Sequence, residues 1–316
     1  MQSAQQWVIG FSQVTTLESW RVQFNIDIKK EVLQWTNIKL LIKDAGDKTE
    51  QQIKDVEYFI NMRVDALLIC PKEPPGVTSA VIKAFDARIP VFVLDRNVST
   101  RCYTKFITGD NHKIGIEAGR HAIALLDDAP KRQIRNFFNT RPRFVLEIWG
   151  GPGTQAARDR NKGFNESLDK EKRNINIEVL PGRNSADWKQ DVAYSIMIKA
   201  MQKYKEIDLV FAHNDAMAYG AYLAAKEKSR ESEIKFIGVD GLVTEGADYV
   251  CDGCLHATFE YPTLGADGLK EAINFLMERK SYSPNAKEII IATRYTGVPI
   301  TKKNVAEYRD WKGRLC

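Results

Sequence analysis

No stretch of this chain approaches the ~20 consecutive apolar residues that a membrane-crossing helix needs. Nor does one charge dominate: 46 Lys plus Arg against 41 Asp plus Glu leave a mild, scattered positive balance. That excludes the basic stripe of a nucleic-acid binder. Histidine is scarce, and His112, His121, His213 and His256 show no metalloprotease spacing. Cysteine is scarce too. Cys70, Cys102, Cys251, Cys254 and Cys316 are odd in number and irregularly spaced, so at least one thiol is free or pairs between chains, and the compartment stays open. The opening residues, Met1 to Gln6, lack the basic and apolar regions of a signal peptide, which reads as a cytosolic chain or a mature form. Low-complexity tracts and short internal repeats are missing as well. With 316 residues, 44% hydrophobic and 28% charged, what is left is a globular chain long enough for two lobes with sizeable cores.

Short β-branched runs alternate with longer amphipathic ones. Trp7 to Phe11 is followed by a helical stretch from about Leu17 to Trp35 and then by Ile38 to Ile42, a βαβ start. Further apolar runs at Ala66 to Ile69, Val91 to Leu94, Phe144 to Ile148, Leu209 to Ala212 and Phe236 to Val239 have the length and composition of strands buried on both faces. The pattern predicts an α/β fold of two similar doubly wound, parallel-sheet lobes. Thr49 and Asp110 stand where N-caps would open helices, and Gly241, Gly246 and Gly253 where turns or helix ends would fall. The longest irregular stretch, Asp127 to Arg143, carries Lys131, Arg132, Arg135, Arg141 and Arg143. It reads as a docking surface or, more often for such runs, a solvated connection.

In open α/β sheets ligands gather at the carboxyl ends of the strands, and here those ends are polar. Ser12 and Gln13, then Glu18, Trp20 and Arg21, follow the first run; Asp95 and Arg96 follow Leu94; His213, Asn214 and Asp215 follow Ala212; Asp240 and Gly241 follow Val239; Glu260 follows Phe259. Singly, each is a helix cap or a surface pair. Together they suit a sugar: carboxylates and amides bond neighbouring hydroxyls, arginine supplies a fork of donors, and an indole covers a ring face. Trp20 and Trp188 are the candidate indoles, each with a core role as its ordinary alternative. Asp95, Asp240 and Glu260 balance Arg21, Arg96 and Arg160, which fits an uncharged polyol.

Catalytic patterns are weak. Gly150-Gly151-Pro152-Gly153-Thr154 opens a helix but lacks the Gly-Lys-Ser/Thr ending of a P-loop. Cys251, Cys254 and His256 form at most half a zinc site, with a small thiol cluster at a helix end or a disulfide as alternatives. No Gly-x-Ser-x-Gly elbow occurs, and carboxylates alone do not define a glycosidase from sequence. No cofactor, metal or enzymatic turnover is expected.

At these same residues the sequence resembles the type I periplasmic sugar-binding proteins, and within them the galactofuranose-binding proteins of ABC transporters. The matching stretches are Ile9-Gly10-Phe11-Ser12-Gln13 with Trp20-Arg21, Val91 to Arg96, Asp159 to Phe164, Ala212 to Met217, and Gly238 to Gly241. The resemblance implies a monosaccharide clamped between two lobes joined by a three-segment hinge, residues 1–109 plus 261–291 forming one lobe and 110–260 plus 292–316 the other. It further implies that Trp20 stacks on the sugar while Arg21, Asp95, Arg96, Arg160, Asn214, Asp240 and Glu260 bond its hydroxyls. Ser12, Gln13 and Trp188 complete the ligand set, with Phe11, Cys70 and Asp110 at the pocket rim. Departures occur at Cys70-Pro71, where relatives carry Asn or Ala, and at Tyr261-Pro262. The implied partners are a small-molecule sugar and an ABC permease, or the kinase domain of a sensor; the implied state is an extracytoplasmic monomer without nucleic acid. A repressor of the LacI type would need a helix-turn-helix of ~60 residues before the first strand, and strand one begins at Trp7.

Overall fold

The computed structural model describes residues 6–127, 141–151, 153–171, 175–182, 184–278 and 287–313. In chain order the elements begin with β1 (Trp7–Gln13), α1 (Ser19–Val32), β2 (Ile38–Asp44), α2 (Thr49–Asn61), β3 (Ala66–Ile69), α3 (Pro74–Asp86), β4 (Val91–Leu94) and β5 (Lys105–Gly109). They continue with α4 (Asn111–Leu126), β6 (Arg143–Trp149), α5 (Gln155–Glu171), β7 (Ile177–Val179), β8 (Asn184–Ser185), α6 (Gln190–Lys203), β9 (Leu209–Ala212) and α7 (Asp215–Glu227). The last are β10 (Lys235–Ile237), α8 (Gly246–Cys251), β11 (Thr258–Phe259), α9 (Gly265–Met277), β12 (Lys287–Ile291), β13 (Pro299–Ile300) and α10 (Val305–Gly313).

Backbone proximity divides the chain into two units, Met1–Gly109 with Pro262–Ala292, and Asp110–Tyr261 with Thr293–Cys316. Tyr261, expected with the first unit, groups with the second, where its ring lies 4.7 Å from the Arg160 guanidinium; Ala292 groups with the first. The first unit holds one parallel sheet in the order β12-β5-β4-β3-β1-β2. Helices α1 and α9 pack together, as do α2 and α3. Residues Ala66–Ile69 and Val91–Leu94 are buried throughout, which is why both read as unbroken apolar runs. The second unit has the parallel order β10-β9-β6-β7, with β8 continuing along the same edge of β6, and a small antiparallel pair of β11 and β13. Its helices pack as α4 with α5 and α6 with α7.

The crossing of α4 and α5 depends on missing side chains. A Cβ on Gly115 of α4 would strike the carbonyl of Arg160, and one on Gly163 of α5 would strike the carbonyl of His112. Arg160 is thereby pressed against the start of α4. At helix starts, Asp110 caps α4 by accepting from the Lys113 amide at 2.9 Å. Thr49, expected as a cap, is instead the first helical residue, behind Lys48 at the N-cap with no side-chain bond. Gly253 (φ 80°) follows the end of α8 in the left-handed position.

Cys70, Cys102, Cys251 and Cys254 are free thiols, so the Cys251–Cys254 disulfide is not formed. No group of metal-holding side chains occurs among the described residues, nor any helix long and apolar enough to cross a membrane. Lys131, Arg132, Arg135 and Cys316 lie outside the described residues. The last arginines of the basic stretch do have a partner: Arg141 donates to both oxygens of Asp208, at 2.9 and 2.6 Å, and Arg143 joins at 3.2 Å.

Candidate functional site

In each sheet the chain reverses its direction of strand addition once, between β1 and β3 in the first unit and between β6 and β9 in the second. In open α/β sheets the loops leaving such a pair of strands are where ligands bind, at the carboxyl edge. The candidate residues sit on these loops and the neighbouring ones.

In the first unit Arg21 is the centre. Its side chain is 2% exposed, and Nη2 donates to Asp95 Oδ2 at 2.5 Å. Nε and Nη1 make no hydrogen bond, although the Glu18 carboxylate lies 3.8 Å from Nε. The guanidinium also sits 4.6 Å from the Trp20 ring centroid. Burial lowers the pKa of Arg21, yet Asp95, Cys70 and Glu18 together raise it above the ordinary value, so the charge is permanent. Arg96 donates from Nη1 to the Lys72 carbonyl at 3.0 Å, and its Nε lies 3.7 Å from Asp95. Cys70 is fully buried. Burial pushes its thiol up to about 12, leaving an uncharged, weakly polar group beside Arg21. Ser12 is buried, and its hydroxyl makes no hydrogen bond.

Three expected residues spend their groups elsewhere in this unit's packing or at a helix start. Gln13 gives Nε2 to Asn25 Oδ1 at 3.0 Å and accepts the Val14 amide at 3.1 Å. Phe11 stacks on Phe24, centroids 5.5 Å apart, with no exposed surface. Asp110, in the second unit, is the cap already described.

In the second unit Arg160 plays the corresponding part. It is 2% exposed, donates from Nε to Asn111 Oδ1 at 2.9 Å and from Nη1 to the His213 carbonyl, and faces the rings of Tyr261 and Trp188, 5.6 Å away for the latter. Below it, His213 lies between Trp149 and Phe211, and its Nε2 is 3.0 Å from Glu147. Burial holds His213 below the ordinary imidazole range despite that carboxylate, so a neutral ring donates to Glu147. Asn214 caps α7 through Met217 at 2.9 Å and holds the Trp188 carbonyl at 3.2 Å. The Gly150-Gly151 pair is explained by the same indole: a Cβ on Gly150 would overlap the Trp188 ring. Those glycines clear room for Trp188.

Asp240 is half-buried and bridges to Glu260 in a short parallel contact. Glu260 is 1% exposed, and Lys312 and Thr293 both reach its carboxylate. Behind them Asp215 is buried, and burial raises its carboxyl well above the ordinary range against bonds from Thr258 and Gly241. Sequence reasoning passed over Lys312, Thr293, Asn111 and Glu147, which hold the expected residues. Among the candidate residues Asp95 (φ 66°), Trp188 (68°) and Asp240 (120°) have left-handed backbone, a conformation that Asp47, Arg63, Arg88, Asp187, Ser229 and Leu264 adopt as well. Non-glycine residues keep such conformations where the surroundings over-determine them, which is commonest at ligand sites.

Two doubly wound units, each with a polar cluster at its switch point, define a two-lobed ligand-binding protein. The chain matches the family described as periplasmic binding protein domain over residues 9–276, and it belongs to that family. Among curated relatives, it is 35% identical over 225 residues to the galactofuranose-binding protein of Escherichia coli (strain K12), covering 69% of this chain and 65% of that protein. It is 30% identical over 236 residues to the ribose import binding protein of Bacillus subtilis (strain 168), covering 75% and 70%. Among solved structures, the fructose binding periplasmic domain of a hybrid two component system superposes with a TM-score of 0.85 at 30% identity, covering 98% of this chain and 95% of that one. A galactofuranose binding protein superposes at 0.82 and 26% identity, covering 98% and 99%.

Proposed function

We propose that this protein is an extracytoplasmic solute-binding protein that captures a neutral monosaccharide, releases it unchanged, and presents it to an ABC permease. The observation that carries this reading is the pairing of charge within each cluster. In the first unit Arg21 and Arg96 are matched by Asp95 and Glu18; in the second Lys312 pairs with Glu260, while Arg160 and Asp240 add one formal charge of each sign. No net charge is left for an anionic ligand to neutralise, while Arg21 and Ser12 retain buried donors without acceptors. Sugar oxygens are acceptors of that kind, and the Trp20 and Trp188 rings are faces for C–H groups. Curated relatives named for galactofuranose and ribose support the same class.

In this reading the sugar is held by residues among Ser12, Trp20, Arg21, Asp95, Arg96, Arg160, Trp188, Asn214, Asp240 and Glu260, with Cys70 at the rim. Gln13, Phe11 and Asp110 act from behind, by fixing the strand and helix ends. Calorimetry against neutral sugars, uronic acids and sugar phosphates tests it. Tight binding of a neutral sugar is the expected result; tight binding confined to a uronic acid or a phosphate overturns the neutral ligand, and recovery of a chemically altered sugar overturns binding without turnover.

The likeness to the periplasmic domain of a two component system favours a second reading, in which the same sugar site serves a membrane sensor. Reconstitution with candidate permeases separates the two: sugar-dependent stimulation of ATP hydrolysis belongs only to the transport reading.

A further inference from the structure

Asp240 holds a φ of 120°, a backbone conformation that residues with a Cβ strongly disfavour, and Gly241 follows at 66°. The Gly241 residue is gripped at both of its backbone polar groups. Its amide donates to Asp215 Oδ2 at 2.8 Å, and its carbonyl accepts from the Tyr308 hydroxyl at 2.5 Å. Both grips are built in. Asp215 is 1% exposed, the same oxygen takes the Thr258 hydroxyl at 2.9 Å, and a Cβ on Gly238 or Gly246 would occupy the carboxyl's space. Tyr308 is fully buried, with the Tyr295 ring 4.9 Å away. One turn further along α10, on the same face, Lys312 reaches Glu260, whose strand end bridges Asp240.

We propose that Asp215 and Tyr308 are positioning residues for the sugar: gripping Gly241 from two sides, they hold Asp240 in its binding orientation and couple the C-terminal helix to occupancy of the site. The proposal rests on Asp240 being a sugar ligand, as argued above. Coupling of this kind is reciprocal, so whatever the helix contributes to affinity, bound sugar returns as protection of the helix.

The test uses the full chain with Tyr308→Phe, Asp240→Ala and the double variant, titrated with D-ribose, D-fructose, L-arabinose and D-galactose. For a sugar that binds the parent, Tyr308→Phe should weaken affinity about five- to tenfold, the loss of one hydrogen bond. In the Asp240→Ala background the same change should cost less than about twofold, because the residue it positions is gone. Equal losses in the two backgrounds overturn the proposal, since a general structural defect would move both alike. Hydrogen exchange on the sugar-free protein supplies a second readout: Tyr308→Phe should speed exchange of the Gly241 amide, and of the Tyr261 amide that donates to the Asp240 carbonyl at 3.1 Å, about tenfold while the β9 amides stay protected. Unchanged exchange overturns the grip. Failure of all four sugars to bind the parent counts against the sugar reading, and the exchange result still decides the grip.

Discussion

Arg21 and Asp95 form a buried ion pair, at 2% and 7% side-chain exposure, and a pair of this kind is felt most when one partner is removed. Asp95→Ala strands a permanent charge, at a cost of about 3–5 kcal/mol in stability. Where the variant remains folded, affinity should fall roughly 30- to 1,000-fold. Urea unfolding and sugar calorimetry on one preparation measure both, and binding within threefold of the parent would remove Asp95 from the site. A second residue-scale expectation concerns acid. Burial, with lesser contributions from Lys235, His121 and Lys302, lowers His256 to about 4, and its Nδ1 already accepts the Phe236 amide at 3.2 Å. The unfolded chain takes a proton at about pH 6.5 while the folded one resists to about 4. This group's share of stability is therefore whole above about 6.5 and drains away as pH falls towards 4. His256→Gln should flatten the thermal midpoint across that window; an equally steep profile would assign the acid sensitivity to His121 and His213, which burial also lowers.

At the scale of elements, the crossing of α4 and α5 leaves little room to adjust. Gly115→Ala drives a methyl into the Arg160 carbonyl, and an overpacked contact against backbone costs about 1–3 kcal/mol. The urea midpoint should fall, and affinity with it, because the backbone that must give way carries Arg160; a stable variant with unaltered binding would contradict this. Legibility in the sequence followed burial at this scale. Runs such as Ala66–Ile69 and Leu209–Ala212 are apolar because both faces are covered, and they were readable to the residue. The edge strand β12, with exposed Lys287, Glu288 and Ile290, lacks that signature, and β7 and β8 are too short to display any period. The strand-end polar residues stood out locally, whereas Tyr308 meets Gly241 from 67 positions away. No window along the chain contains both.

For the molecule as a whole, a bound sugar stabilises the folded chain by mass action, about 2.7 kcal/mol when its concentration is a hundred times Kd. A rise in thermal midpoint on adding sugar is the expected result. It should disappear in Asp95→Ala and equally in Arg160→Met, one variant in each unit. Persistence of the full rise in either variant would remove the substituted residue from the site.

The first unit is discontinuous: Met1–Gly109 is joined by Pro262–Ala292. While the chain is being made, β5 waits for β12 and the face lined by α1 waits for α9. At about 5–20 residues per second that delay lasts many seconds, during which Phe24 and Leu94 lack the glycine-faced helix that later covers them through Gly265 and Gly268. The nascent protein thus carries an uncapped sheet edge and a bare aromatic face until Pro262–Ala292 is synthesised, which makes the ribosome-bound intermediate a natural client for a chaperone.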